Sequence, residues 1–324
     1  TRCSRDWSSD VCSSDLIIGN MKWNIYSKLW MIFFVLMGTA CTNQVEDAIP
    51  VSGQPIEFSV QSDWKEIPNT RLNDGKPNFD KNDEIQIFGF HKSSSGEVQK
   101  FMYRVDDWNR GQKVKFDGEN WNYSPKRFWP KEGTIDFYAG YPEYSVWYNN
   151  TKNMMAYEQS VNPLELDLLW GESPNHNYAK DHNKDVVITM KHALAKVIIR
   201  FDDSLGEITH AKVSAYNAGY FDKTDTTDGI PNWIVEKESD NIVTATLSPF
   251  KDQTTIGDAT VFILPNKITG LKLTRDDGTE IDVSDKIQKY TFEAGKLYDL
   301  TISKGVQNNT NTRSVAMSVR CVSE

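Results

Sequence analysis

Short runs in which apolar and polar residues alternate recur from residue 56 to the end of the chain, leaving little room for any regular structure except β-strands. Ile56, Phe58 and Val60 alternate with Glu57 and Ser59. In Glu84-Ile85-Gln86-Ile87-Phe88-Gly89-Phe90, Ile85 and Ile87 fall on one face and Phe88 and Phe90 on the other, with Gly89 reading as a bulge. A period of two, bounded by Gly, Asn and Asp, is the strand signature because successive side chains leave a pleated strand on opposite faces. The same reading predicts strands over 100–105, 112–116, 121–123 and 134–138, with Asp117-Gly118 as a turn between two of them. Residues 149–184 turn polar and irregular, which predicts the approach to a domain boundary. A second series covers 186–190, 195–201, 211–216, 242–247, 259–264, 270–274 and 297–302. Many short strands with few helical stretches predict an all-β fold of two antiparallel β-sandwich domains in tandem, over 55–184 and 185–304.

The start of the chain follows different rules. Residues 1–20 are Ser/Asp-rich with no apolar period, and Asp6 to Leu16 resembles a sequencing adapter read through in frame, so residues 1–20 are set aside and Met21 is the expected gene start. From Met21, Lys22 and Lys28 precede the apolar run Leu29 to Met37, then Gly38-Thr39-Ala40 and Cys41. That run is too short for a span of about 20 residues and ends in small residues, the pattern of a cleaved signal peptide over 21–40. The segment resembles the signal of bacterial lipoproteins, although Gly38 stands where the usual lipobox has Leu. The resemblance implies that Cys41 is acylated and anchors the chain to the outer membrane, each buried CH₂ contributing ~0.8 kcal/mol. The alternative is an ordinary signal peptide cut near Cys41. Residues 41–54, polar with one Pro and one Gly, read as a tether.

Beyond residue 40 the chain carries 32 basic and 42 acidic side chains, a net charge of −10. That balance argues against nucleic acid as a partner. Cys41 and Cys321 are the only cysteines there, so no disulfide framework is expected and stability must come from apolar cores. The five histidines show no zinc spacing, His176 and His182 included, and His192 reads as structural. There is no phosphate loop, no Gly-x-Ser-x-Gly elbow and no His-Glu-x-x-His. No catalytic residue, metal ligand or cofactor is therefore expected, and no enzyme.

Four passages, in order, resemble Bacteroidetes fimbrillin-like proteins. They are Ile56-Glu57-Phe58 through Thr70-Arg71 to Phe79–Ile85; Phe128-Trp129-Pro130 with Ile135–Pro142; Asp167–Trp170 with Val187–Val197; and Leu264-Pro265 with Phe292–Tyr298. Together they span roughly residues 56–304. The resemblance implies two transthyretin-like sandwiches and a role as a structural or accessory subunit of a surface fimbrium of the type V pilus kind, supporting adhesion. It also implies other fimbrial subunits as partners and, for adhesion, host or bacterial surface ligands. In shaft-forming members an Arg-specific protease removes the first strand and a neighbour's C-terminal strand fills the groove, which satisfies an exposed sheet edge.

Two features bear on that mechanism. Arg71 lies in the turn-rich segment Pro68–Gly75, either as a processing site or as an ordinary solvated loop residue. In the tail, residues 305–324, Val315, Met317, Val319 and Cys321 alternate with Ala316, Ser318 and Arg320. That strand is either donated to a neighbour or closes its own sandwich. The rival reading is a glycan-binding surface lipoprotein, drawn from Trp108, Trp121, Trp129, Trp147 and Trp170 with Tyr141, Tyr144 and Tyr148. At least three of those five Trp exposed on one face would favour it; buried Trp leaves the fimbrial reading ahead.

Overall fold

The computed structural model describes residues 49–62, 79–159, 164–247, 259–304 and 315–322. The chain divides into Thr1–Ala48 and Ile49–Glu324, and every described residue lies in the second unit.

Strands supply nearly all the regular structure. In chain order they begin with β1 (Val51–Pro55), β2 (Phe58–Ser62), β3 (Glu84–Lys92), β4 (Val98–Met102), β5 (Gln112–Phe116), β6 (Trp121–Asn122), β7 (Phe128–Pro130) and β8 (Thr134–Tyr141). Next come β9 (Val146–Asn149), β10 (Met154–Glu158), β11 (Leu169–His176), β12 (Val186–His192), β13 (Ala195–Phe201), β14 (Ile208–Tyr216), β15 (Ala218–Phe221) and β16 (Thr226–Thr227). The series ends with β17 (Ile230–Pro231), β18 (Ile234–Val235), β19 (Ile242–Leu247), β20 (Ala259–Ile263), β21 (Ile268–Arg275), β22 (Glu280–Asp282), β23 (Leu297–Lys304) and β24 (Val315–Val322). Two single-turn helices, α1 (Tyr178–Asp181) and α2 (Ser284–Ile287), sit in connections. No described helix is long and apolar enough to cross a membrane.

An eight-stranded sheet dominates, in the order β2-β12-β11-β8-β3-β5-β6 with β4 also on β3. Its pairings are antiparallel except β2 with β12, which run parallel. The split character of β3 explains its place: Ile85 and Ile87 enter one core, Phe88 and Phe90 another, so both sheet faces are covered. The β3–β4 register shifts between Gly89 and Phe90, the bulge expected at that glycine. A Cβ there would stand 2.8 Å from the Cβ of Met102, so the close approach of β4 requires glycine.

Among the described residues, buried apolar side chains gather in three clusters. The first lies on one face of the large sheet and includes Ile56, Phe58, Val60, Trp129 and Phe137. The second lies between the other face and the sheet β18-β15-β10-β9, around Trp170, which stacks on Tyr138 at 5.9 Å and meets Phe221 edge-on at 4.9 Å. Burying one such aromatic side chain contributes roughly 1.5–3 kcal/mol. The third fills the space between the sheets β20-β13-β23-β24 and β19-β14-β21-β22.

Four placements differ from the sequence reading. The segment 149–184, expected to be irregular, holds β10 and β11; their buried residues are consecutive, Met155–Tyr157 and Leu169–Gly171, and so lack the alternation that marks a half-exposed strand. Val186–His192, expected to open the second sandwich, pairs with β11 and β2, sending Val186, Ile188 and Met190 into the first core. Residues 218–221 likewise return to pair with β10. Part of the expected tether, Val51–Gln54, belongs to β1, which pairs with β7.

Candidate functional site

Both ends of the described chain supply strands at sheet margins. β2 begins the large sheet and, among the described residues, pairs with one strand, β12, in the register Phe58↔Val186 to Ser62↔Met190. Its burial alternates: Phe58, Val60 and Ser62 are buried, whereas Ser59 and Gln61 are exposed. Just before it, Ile56 is wholly buried, its amide donating to the Arg127 carbonyl at 2.9 Å. The Ile56 carbonyl in turn accepts from the Tyr123 hydroxyl at 2.7 Å. Burial pushes that phenol up to about 12, so it stays protonated and donating. Residues 49–62 are thus joined to the rest of the described chain through β1 on β7 and β2 on β12, through the Ile56 hydrogen bonds and a Glu57–Lys126 ion pair at 2.7 Å, and through Ile56, Phe58 and Val60 in the first core.

The other margin belongs to the tail. β24 pairs antiparallel with β23 along its whole length, from Lys304↔Val315 to Leu297↔Val322, at the end of the order β20-β13-β23-β24. The register sets Met317, Val319 and Cys321 opposite Ile302, Leu300 and Tyr298, the row of β23 that is buried in the third core. Val315 stands opposite Lys304. Within a single chain the tail thus occupies its own sheet edge. Arg71 and Cys41 lie outside the described residues. The sequence reading did not recognise how narrowly β2 is held; the signal was the alternation at Ile56–Val60, but parallel pairing with a strand 128 positions away leaves no local trace.

The remaining candidates resolve individually. Trp121, Trp129 and Trp170 are buried, Trp147 is half-buried and Trp108 is 53% exposed, so three of the five are core residues. Tyr148 is buried and Tyr141 is half-buried, while Tyr144 is exposed. His192 pairs through Nδ1 with Asp167 Oδ2 at 2.5 Å, and His176 with Ser173 Oγ at 2.8 Å and Asp181 Oδ2 at 3.3 Å. The carbonyl of Tyr178 lies 2.7 Å from His182 Nδ1. Among the described residues no group of three or more His, Cys, Asp or Glu is placed to hold a metal ion.

Layered sheets whose margins are occupied by strands from both ends of the described chain define the class: an all-β protein with chain-terminal edge strands. A family model described as fimbrillin-like matches residues 70–318, and the chain belongs to the fimbrillin-like family. Among solved structures, a candidate cell adhesion protein from Bacteroides ovatus is similar in fold, with 14% identity, 84% of this chain and 99% of that one covered, and a TM-score of 0.54. A candidate cell adhesion protein from Bacteroides uniformis shares 18% identity over 82% of this chain and 97% of its own, at a TM-score of 0.49. The fimbrial anchor protein Mfa2 from Porphyromonas gingivalis gives 11% identity, 82% and 97% coverage, and a TM-score of 0.38. No curated protein sequence matches the chain.

Proposed function

We propose that this chain is a structural or accessory subunit of a cell-surface fimbrium, exported as a lipoprotein on Cys41 and joined to other fimbrial subunits by exchange of edge strands, with adhesion to host or bacterial surfaces as its output. The observation that carries the reading is the placement of β2: a marginal strand that lies before Arg71, is paired on one side only among the described residues, and with Ile56 just ahead of it puts Phe58 and Val60 in the first core. Cleavage after Arg71 would release β1 and β2 together. The loss would strip β12 of one of its two partners, leaving β11, and open an apolar row whose burial contributes roughly 1.5–3 kcal/mol per side chain. A strand of matching period restores both, and Val315, Met317, Val319 and Cys321 provide that period at the other end. Family membership supports the fimbrial assignment, and the net negative charge fits a surface protein without nucleic acid partners.

The test is the protein taken from its native surface. The expected result is an SDS-resistant ladder that disappears on deleting residues 313–324, together with a new N-terminus at Leu72 by mass spectrometry. An intact acylated Cys41 on a protein that stays monomeric would overturn strand exchange.

A further inference from the structure

At one corner of the molecule, the loop between β4 and β5, the turn between β8 and β9, and the end of β10 carry aromatic and polar side chains that no core uses. Tyr144 is 52% exposed and held at φ 67°, the left-handed region that a bulky L-residue enters only under strain. Two guanidinium groups lie against its ring, Arg104 at 4.7 Å and Arg110 at 5.5 Å from the centroid. Arg110 is also 5.3 Å from the Trp147 ring, and its Nη1 donates to the carbonyls of Tyr144 at 2.6 Å and Val146 at 2.9 Å. Arg104 is tied to Asp106 at 2.8 Å and Glu143 at 2.9 Å. Trp147 reaches the same corner because alternation along β9 sends Val146 and Tyr148 into the second core and leaves Trp147 on the outer face.

Tyr144, Trp147 and Arg110 line an open cavity of about 300 Å³ with Asp107, Asn109 and Glu158. That is the lower end of the range for small-molecule sites and suits a single ring. The lining selects by charge in both directions. Asp107 and Glu158 repel an anion, and they set their charge against that of Arg110, whose Nη1 is engaged by the Tyr144 and Val146 carbonyls and whose Nε lies 3.8 Å from Asp107. Arg104 and Arg110 beside the rings repel a cation. What remains is a neutral ligand with an apolar C–H face for the rings and hydroxyls for the carboxylates and the Asn109 amide. We propose that this corner binds a neutral pyranose residue of a surface glycan. The site would give the adhesive output of the proposed fimbrial subunit a ligand class, but it stands on its own geometry and needs no strand exchange.

Saturation-transfer NMR on the full chain in a detergent without sugar head groups tests it. The probes are methyl glycosides of glucose, galactose, mannose and N-acetylglucosamine, with N-acetylneuraminic acid as the anionic control. The expected result is transfer to the ring C–H protons of at least one neutral glycoside and none to the acid. Trp147→Ala and Tyr144→Asn should each weaken binding about tenfold or more. Asn tolerates the left-handed backbone, so the second variant keeps the turn if the first disturbs β9. Binding of no neutral glycoside, binding of the acid alone, or undiminished binding in a folded Tyr144→Asn variant would each overturn the proposal. Because the reading is made on the monomeric chain, its failure leaves the assembly reading intact, and a missing ladder leaves this site intact.

Discussion

Single residues show where neighbouring strands of one sheet lie closest. Gly171 in β11 has the Cγ2 of Ile188 and the carbonyl of Thr189 each 2.8 Å from where a Cβ would sit, and one of those atoms is backbone. Gly171→Ala should cost about 1–3 kcal/mol, read as a lower denaturant midpoint. Gly53→Ala, with nothing within 4 Å of its would-be Cβ, should change stability by less than about 0.5 kcal/mol. Charge is spent on turns in the same local way. The backbone amides of Asn120 and Glu119 hold the Asp117 carboxyl below its ordinary range, and the amide of Thr224 does the same for Asp222. A depressed carboxyl stabilises the fold above the unfolded value near 4 and loses that contribution as pH falls through the folded value. Stability should therefore decline below about pH 4, and Asp117→Asn with Asp222→Asn should flatten the decline when unfolding is followed against pH. Asp83 and Glu143 work in the opposite sense, because burial raises them and their ionisation costs stability as pH rises.

At the scale of elements, β24 offers the clearest experiment. Its pairing with β23 covers eight residues, and removing residues 313–324 leaves the β23 edge open. The truncated chain should show a lower denaturant midpoint and should bind a synthetic peptide of residues 315–322. At a hundred times its dissociation constant, that peptide should restore about 2.7 kcal/mol. An unchanged midpoint with no peptide binding would mean that β24 contributes nothing at that edge. The element also shows what a sequence can and cannot carry. Alternation identified 112–116, 195–201 and 242–247 as strands to the residue, because only one face of each enters a core. It missed β10, β11, β15 and β18, which pack where two sheets cover each other or are too short to express a period. The alternating tail was readable as a strand, but which edge it pairs with depends on neighbours far along the chain. The same holds for the aromatic corner: Tyr144 and Trp147 stood out in the sequence, whereas Arg110, Asp107 and Glu158 joined them only through folding.

For the whole molecule, the proposed reading ties the fate of Cys41 to that of the first two strands. β1 and β2 lie between Cys41 and Arg71, so any cut at Arg71 removes lipid and edge strands as one piece. On the proposed reading, anchoring and strand exchange would be mutually exclusive states of one subunit, ordered in time, with acylation delivering the chain and cleavage freeing it to polymerise. The two steps predict an ordered pair of variants. Cys41→Ser should abolish surface delivery whatever stands at residue 71, since transit precedes processing. Arg71→Ala should reach the surface, keep its acyl group and its β2, and remain monomeric, because the row of Ile56, Phe58 and Val60 is never vacated. Mass spectrometry of surface fractions and SDS-resistant laddering read both outcomes. A ladder from Arg71→Ala would place the cut elsewhere or make it unnecessary. Surface delivery of Cys41→Ser would mean that the signal is an ordinary one and that lipid plays no part in transit.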